Sequence, residues 1–423
     1  MDVDPKGPMA NRDALSAKRN LRPIVGGQAV SLFGDYVAFF VLPYYMLALT
    51  GRAVDLGLTA AAETLPMLLF GLAAGVFLDR RRRLGRALIG VDLIRAGLFG
   101  ILAFASGAAW VTPMFVFGIA FLIGSASVIF DSGLQSYMTQ SLDEGDLLSA
   151  NAQLGLARTI TLSVGPLIGG LIVAVAGGFA IAFGLNAVTF VLSAVFLAAV
   201  RPVRALPHRT HEPFSSAITS GLRVLFADHR LRWATLGGTL TNLVFQPLEA
   251  LLVLFVATEI LGLENMEQGL TEKGILIGLF FALQAAIGSV GVAFAGRAAK
   301  RLPLGSMYLV GLFMLGGGFL VVAIVGTWAA VIPAGIAITG VTWVNVALVT
   351  LRQKLAPPEQ MGRVIAASRT LAWAGLPLGA ALGGYLASEF GVVPVYITGS
   401  IGVLVVALFL TRTALFRQPV MGK

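Results

Sequence analysis

The chain has no cysteine and only three histidines among its 423 residues. Disulfides, thiol chemistry and cysteine metal sites are therefore excluded. His208, His211 and His229 fall in one basic segment, which we interpret as a solvated loop, so no metal or cofactor is expected. The sequence also lacks the GxxxxGK(S/T) pattern of a phosphate-binding loop, which argues against an ATP-driven protein and leaves no catalytic constellation for an enzyme.

Charge is scarce as well. Only 12% of the residues are charged and 57% are hydrophobic, whereas soluble domains carry about 25% charged residues. Continuous apolar segments, each as long as the ~20 residues that cross a bilayer, predict an all-α membrane protein with twelve transmembrane helices, near 24–49, 56–78, 86–107, 112–139, 148–176, 179–200, 231–260, 272–296, 305–326, 328–351, 363–388 and 392–412.

The residues behind the net charge of +9 are distributed according to the predicted membrane topology. Most lysines and arginines fall in the N-terminal tail and in the loops that share its side of the membrane, which is the positive-inside pattern. The positive net charge is therefore not evidence of nucleic-acid binding. We expect a multi-pass protein of the bacterial inner membrane with both termini in the cytoplasm.

The sequence repeats internally. Arg158, Thr159 and Pro166 recur 211 residues later as Arg369, Thr370 and Pro377. This repeat predicts two pseudo-symmetric six-helix halves with a substrate site between them near the bilayer midplane. Apolar residues at helical spacing in the connection predict an amphipathic helix on the inner leaflet. The predicted segments are a tail 1–22, a bundle 23–200, a linker 201–230, a second bundle 231–413 and a tail 414–423.

Two short motifs carry a family resemblance. GVFLDRRRRLGR resembles motif A of the major facilitator superfamily, with one extra residue before the final Gly-Arg, and it matches at Gly75, Asp79, Arg80, Gly85 and Arg86. GPLIGG resembles motif C of the antiporter branches, matching at Gly165, Pro166, Gly169 and Gly170. GQAVSLFGD in helix 1 and the tripeptide SAN resemble the branch of macrolide, tetracycline-type and siderophore exporters.

The resemblance implies the twelve-helix fold over essentially the whole chain, alternating access and a monomer. It also implies a conformational latch at motif A, where Asp79 at a helix end would accept hydrogen bonds from a neighbouring helix N-terminus. Helix 4 lacks the arginine of the family's motif B, so the usual proton-relay arginine is unassigned.

Five carboxylates lie within the spans, where each costs at least about 2.5–3.5 kcal/mol at a helix centre. Asp35 is eleven residues into helix 1, about 16 Å along its axis and so at mid-bilayer. We assign proton coupling to Asp35, with Asp131 and Glu63; the alternative for Asp35 is a structural carboxylate bonded to Ser31 or Gln28. Asp92, Arg95 and Arg158 are predicted to form a charge network.

The predicted substrate cavity is amphiphilic. Aromatic rings beside a carboxylate suit bulky lipophilic cations, although aromatics also fill membrane proteins without binding anything. The residues assigned to the cavity are Gln28, Tyr36, Phe39, Asn242, Phe245, Gln246, Glu249, Trp343 and Trp373.

We therefore expect a proton-coupled exporter of bulky amphipathic compounds, of the multidrug type. Its partners would be protons, the bilayer and a small amphipathic molecule of cationic character. The alternatives are a siderophore exporter, a lipid or lysophospholipid transporter, an uptake symporter of the same fold and, in another class, a non-transporting membrane scaffold.

Overall fold

The computed structural model describes residues 8–79, 84–176, 178–200, 214–264, 266–357 and 360–413. Nearly all of this part is helical. The helices are α1 (Pro8–Thr50), α2 (Ala53–Asp79), α3 (Leu84–Ala105), α4 (Pro113–Ser141), α5 (Glu144–Ala176), α6 (Phe179–Ala198), α7 (Phe214–Ala227), α8 (His229–Ala250), α9 (Leu252–Phe255), α10 (Met266–Arg301), α11 (Leu304–Val325), α12 (Val331–Leu355), α13 (Met361–Trp373), α14 (Gly375–Phe390) and α15 (Val392–Leu410).

The all-α membrane fold predicted from the sequence is confirmed. Within the described ranges, eleven helices are long and apolar enough to cross a membrane, with α13 and α14 acting as one span. A twelfth span consists of α8, α9 and a π-helical turn over Val256–Ile260, joined at a bend of 42°. The bend falls just after Pro247, which has no amide hydrogen to continue the helical ladder. Tyr396 caps the break by donating its hydroxyl hydrogen to the Leu248 carbonyl.

The helices pack as two groups. In the first, α1 contacts α5 and α6, α2 contacts α4, and α3 contacts α6. In the second, α11 contacts α12 and α15, while α8 packs on α14 and α10 on α12. The main contacts between the groups are α2 with α14 and α5 with α10. This arrangement is the one expected of two halves; the exact boundaries predicted for them stay a prediction.

The two groups meet backbone to backbone at one end of the bundle. We call it the Thr50 end, because α1 finishes there, and we call the opposite end, which carries α7, the linker end. A Cβ atom on Gly57 of α2 would collide with the backbone of Gly384 on α14. A Cβ atom on Gly170 of α5 would collide with Gly274 of α10, and one on Gly278 with the carbonyl of Pro166. We name Gly57, Gly384, Gly170, Gly274 and Gly278 the glycine seam.

The linker contains the helix that the sequence predicts, and part of its apolar face packs against protein. Leu225 of α7 is buried in a cluster with Leu231, Ala356 and Val364. Arg363 of α13 also donates to the Ser220 hydroxyl over 3.2 Å. Only Asp228 separates α7 from α8, and it caps α8 by accepting from two backbone amides. This short turn folds α7 onto α8 and α13, while Phe226 of α7 is exposed, so the placement of α7 on the inner leaflet stays a prediction.

Candidate functional site

Three charged side chains from both halves face one space within the spans on the linker side. Asp131 of α4, Arg158 of α5 and Arg369 of α13 lie within electrostatic range of one another. Protein surrounds Asp131 and Arg369, yet their side chains are exposed, as is the side chain of Arg158. Because the three residues come from both halves, we interpret the space that they face as a water-accessible cavity between the halves. We call these three residues the charge cluster.

The residues of the charge cluster lie near one another without forming an ion pair. No carboxylate oxygen of the described residues lies within 4.0 Å of a nitrogen of Arg158 or Arg369. Arg369 instead stacks over Trp373, one turn further along α13, with its guanidinium carbon 4.4 Å from the ring centroid. Trp373 is itself 36% exposed. A ring under the guanidinium holds the cation in place without neutralising it.

Asp92 and Arg95 of α3 form a direct, buried ion pair, as their spacing of three residues predicts. The Arg95 guanidinium lies between the rings of Phe130 and Phe190, each centroid 4.1 Å away. Both side chains are excluded from solvent. The pair is therefore fixed by packing on all sides, whereas Arg158, the third member of the predicted network, stands in the open cavity.

Arg95→Met is expected to destabilise the protein by about 3–5 kcal/mol, because it leaves the Asp92 carboxylate buried without its partner. Thermal unfolding in detergent would measure the loss. The double variant Asp92→Asn with Arg95→Met should recover part of it, since no lone charge is then buried. Equal stability of the single and double variants would contradict this assignment.

Asp35 lies half-buried at mid-length in α1, between the ion pair and the charge cluster. Arg95, Asp131 and Asp92 are all within its electrostatic range, and Ser31 hydrogen-bonds its carboxyl group. The bond to Ser31 agrees with the alternative role given for Asp35, that of a structural carboxylate. The same position, however, places Asp35 next to two further carboxylates and close to the open cavity.

A second cleft lies on the Thr50 side, just below the glycine seam. Glu63 of α2 and Glu249 of α8 line it together, one from each half. Its cavity volume is about 60 Å³, and it has no basic residue in its lining. We call it the acidic cleft; its walls also include Phe39, Phe40, Pro43, Thr64, Gln246 and Phe281.

A third pocket lies within the second half. Asn242, Phe245 and Trp373 line it, as does Arg352 of α12. In the sequence, Arg352 directly follows the apolar run 328–351, a position that predicts a charge of the cytoplasmic loop. The structure buries it, within electrostatic range of Arg369 and Tyr308. No signal in a single sequence distinguishes such an arginine from a topological one.

The nine residues assigned to one cavity are thus distributed over several places. Phe39, Gln246 and Glu249 line the acidic cleft, while Asn242, Phe245 and Trp373 line the third pocket. Two side chains bond elsewhere: Gln28 to Ser193 at 3.4 Å and Trp343 to the Gly291 carbonyl at 3.2 Å. Tyr36 lies between the two sides, in electrostatic range of Arg158, Asp35 and Glu249.

The motif residues have different surroundings. Gly165 and Gly169 let α5 approach Tyr36, Val37 and Phe40 of α1, while Gly170 and Pro166 face α10 of the other half. In motif A, Gly85 packs on the ring of Tyr137 and Arg86 is exposed. Gly75, Asp79 and Arg80 lie outside the part of the chain whose surroundings the structure describes, so the latch stays a prediction.

A bundle of two packed helical halves with charged and aromatic clefts between them is the architecture of a secondary transporter. The chain belongs to the Major Facilitator Superfamily, whose family model matches residues 24–380.

Similar proteins agree with this membership. "Macrolide efflux protein A" of Streptococcus pyogenes is 25% identical over 374 residues, covering 87% of this chain and 89% of that protein. "Multidrug efflux pump Tap" of Mycolicibacterium fortuitum is 26% identical over 394 residues, covering 90% and 92%. The structure of the POT family transporter PepTSo shares the fold with a TM-score of 0.74 at 14% identity, covering 95% of this chain and 98% of that one. The resemblance to the exporter branch is thereby confirmed.

Proposed function

We propose that this transporter exports small amphipathic compounds, of the multidrug type, in exchange for protons. Two observations carry the proposal: the charge cluster is exposed on the linker side, and the acidic cleft lies below the glycine seam on the other side. The relatives named as efflux proteins support the direction.

The positive-inside pattern supports placing the linker end in the cytoplasm of a bacterial inner membrane. In this orientation the protein is sealed outside by the glycine seam and open inside at the charge cluster. Cargo would enter from the cytoplasm or the inner leaflet. Opening of the seam, with the halves rocking about the central site, would release it outside.

Protons would be exchanged at Asp35, with Asp131 and Glu63 as further carriers. Removal from water favours the neutral form of a carboxyl group, so a half-buried Asp35 can take up a proton in one state and release it in the other. Asp131 faces the open cavity and Glu63 the acidic cleft, so the three carboxylates mark a path between the two sides.

Transport by purified protein in proteoliposomes with an imposed pH gradient tests the proposal. The panel would contain a macrolide and the lipophilic cation tetraphenylphosphonium. Proton-dependent accumulation on the side opposite the linker end supports export. Proton-driven movement in the reverse direction would identify an uptake symporter, and a complete lack of movement over a broad panel would favour a non-transporting scaffold.

Glu249→Gln is expected to weaken transport of tetraphenylphosphonium. Its carboxylate and the ring of Phe281 line the acidic cleft. The Coulomb attraction between a carboxylate and a bulky cation about 6–10 Å away is worth about 1.7–2.8 kcal/mol at an effective dielectric constant of about 20. The apparent affinity should fall about 10- to 100-fold, measured as the concentration for half-maximal transport. Glu259→Gln, an exposed acid on the same span, is the matched control. Equal effects of the two substitutions would remove the acidic cleft from the cargo path.

A further inference from the structure

The two arginines of the internal repeat come together in space. Arg158 and Arg369 occupy equivalent positions in the two halves, and the fold brings both to one water-accessible cavity. A charge inside a span is costly unless it is paired or faces water, and charges that are kept there commonly mark a functional site. Here neither guanidinium has a carboxylate of the described residues within ion-pairing distance.

Positive charge exceeds negative charge on this side of the molecule. Asp131 is an exposed carboxylate within electrostatic range of both arginines, and Asp92 is already bonded to Arg95. Arg352 adds a further cation within electrostatic range of Arg369. Asp35, half-buried and in range of Asp131, is the nearest remaining acid. The acidic character of the cleft on the Thr50 side, whose lining has no basic residue, therefore does not extend to the linker side.

We propose that Arg158 and Arg369 form a two-sided binding site for an anionic oxygen group, a carboxylate or a phosphate, carried by an amphipathic cargo. Guanidinium groups bind such groups through paired, charge-assisted hydrogen bonds. Trp373, stacked on Arg369, supplies an apolar surface for the rest of the molecule. The proposal rests on the transport function above and defines its cargo further: with the acidic cleft, it describes a molecule that carries both signs of charge.

Each half supplies one arginine, which links binding to the transport cycle. A group held by both guanidinium groups joins α5 to α13 while the linker end is open. When the halves rock, the distance between the two arginines changes and the paired bonds are lost. The site is therefore expected to bind tightly in the linker-open state and weakly after release.

Binding to the full-length protein in lipid nanodiscs tests this site without requiring transport. Dodecyl phosphate is compared with dodecyl maltoside, which has the same tail and no charge. Arg158→Gln and Arg369→Gln are each expected to weaken dodecyl phosphate binding about 10- to 100-fold, the effect of losing charge-assisted hydrogen bonds. Dodecyl maltoside binding should not change. Arg52→Gln, an exposed arginine at the Thr50 end, is the control.

Lysine variants show whether a loss of binding comes from the lost charge or from misfolding. Arg158→Lys and Arg369→Lys keep the cation, so they should restore part of the binding. Discs with and without phosphatidic acid distinguish a lipid headgroup, which would compete with the probe, from a soluble cargo, which would not. Equal affinity for the two detergents, or an equal loss in Arg52→Gln, overturns the proposal. Preserved binding without proton-driven transport would instead refute the proposed function and leave the site standing.

Discussion

Asp35→Asn is expected to abolish proton-driven efflux while leaving downhill exchange of cargo. One unit of pH difference is worth about 1.4 kcal/mol per proton and supports about a tenfold cargo gradient. An amide in place of the carboxyl group carries no exchangeable charge, so this gradient should collapse to the level set by passive equilibration. The position of Asp35, half-buried beside Asp92 and Asp131, is the reason for the expectation.

The measurement is cargo accumulation in proteoliposomes at a fixed pH gradient, together with counterflow at equal pH on both sides. Asp35→Glu, which retains a titratable group, should keep part of the coupling. Glu389→Gln, an exposed acid at the end of α14, is the control for general loss of charge. Undiminished accumulation by Asp35→Asn would move the coupling role to Asp131 or Glu63.

Gly170→Ala is expected to open the Thr50 end. The added methyl group would collide with the backbone of Gly274, which cannot move aside as a side chain can. Overpacking of this kind costs about 1–3 kcal/mol, similar to the few kcal/mol that separate the states of such a protein. Sealed molecules should therefore become about 10- to 100-fold less favoured relative to unsealed ones.

Spin-label distances across the Thr50 end would report this change. Because the chain has no cysteine, labels can be placed at Arg52 and Glu389, both exposed and in different halves, without removing any native cysteine. The distance distribution of Gly170→Ala should shift to longer values. Gly155→Ala, in the same helix but with no atom within 4 Å of the new methyl group, is the matched control. If both variants match the parent, the glycine seam is not the seal.

The fold is predictable because it follows from apolar length and from a repeat. Continuous runs of about 20 apolar residues fix the number of spans, and the repetition of Arg158 as Arg369 indicates two halves. The Asp92–Arg95 ion pair can be predicted in the same way, since residues three apart share a helix face. All three features can be read from the sequence without knowing which helices pack together.

The organisation of the site is not predictable to the same degree, because it depends on contacts between distant helices. Glu63 and Glu249 share a cleft only because α2 and α8 meet there. Arg352 is interior only because α12 is long enough to bury it beside Tyr308. Gln28 and Trp343 are directed away from the cavity by partners, Ser193 and Gly291, that no spacing rule reveals.

The glycine seam gives the two ends of the molecule different sensitivities. Its contacts join backbone to backbone, so it contains neither an ionisable group nor the empty volume on which pressure acts. Acidity, salt and membrane potential have nothing to act on there directly. Those variables act on the charged groups beyond the seam, which are Glu63 and Glu249 in the acidic cleft and Asp131 with its two arginines near the linker end. A change in the solution would therefore reach the outer seal only as movement of whole helices.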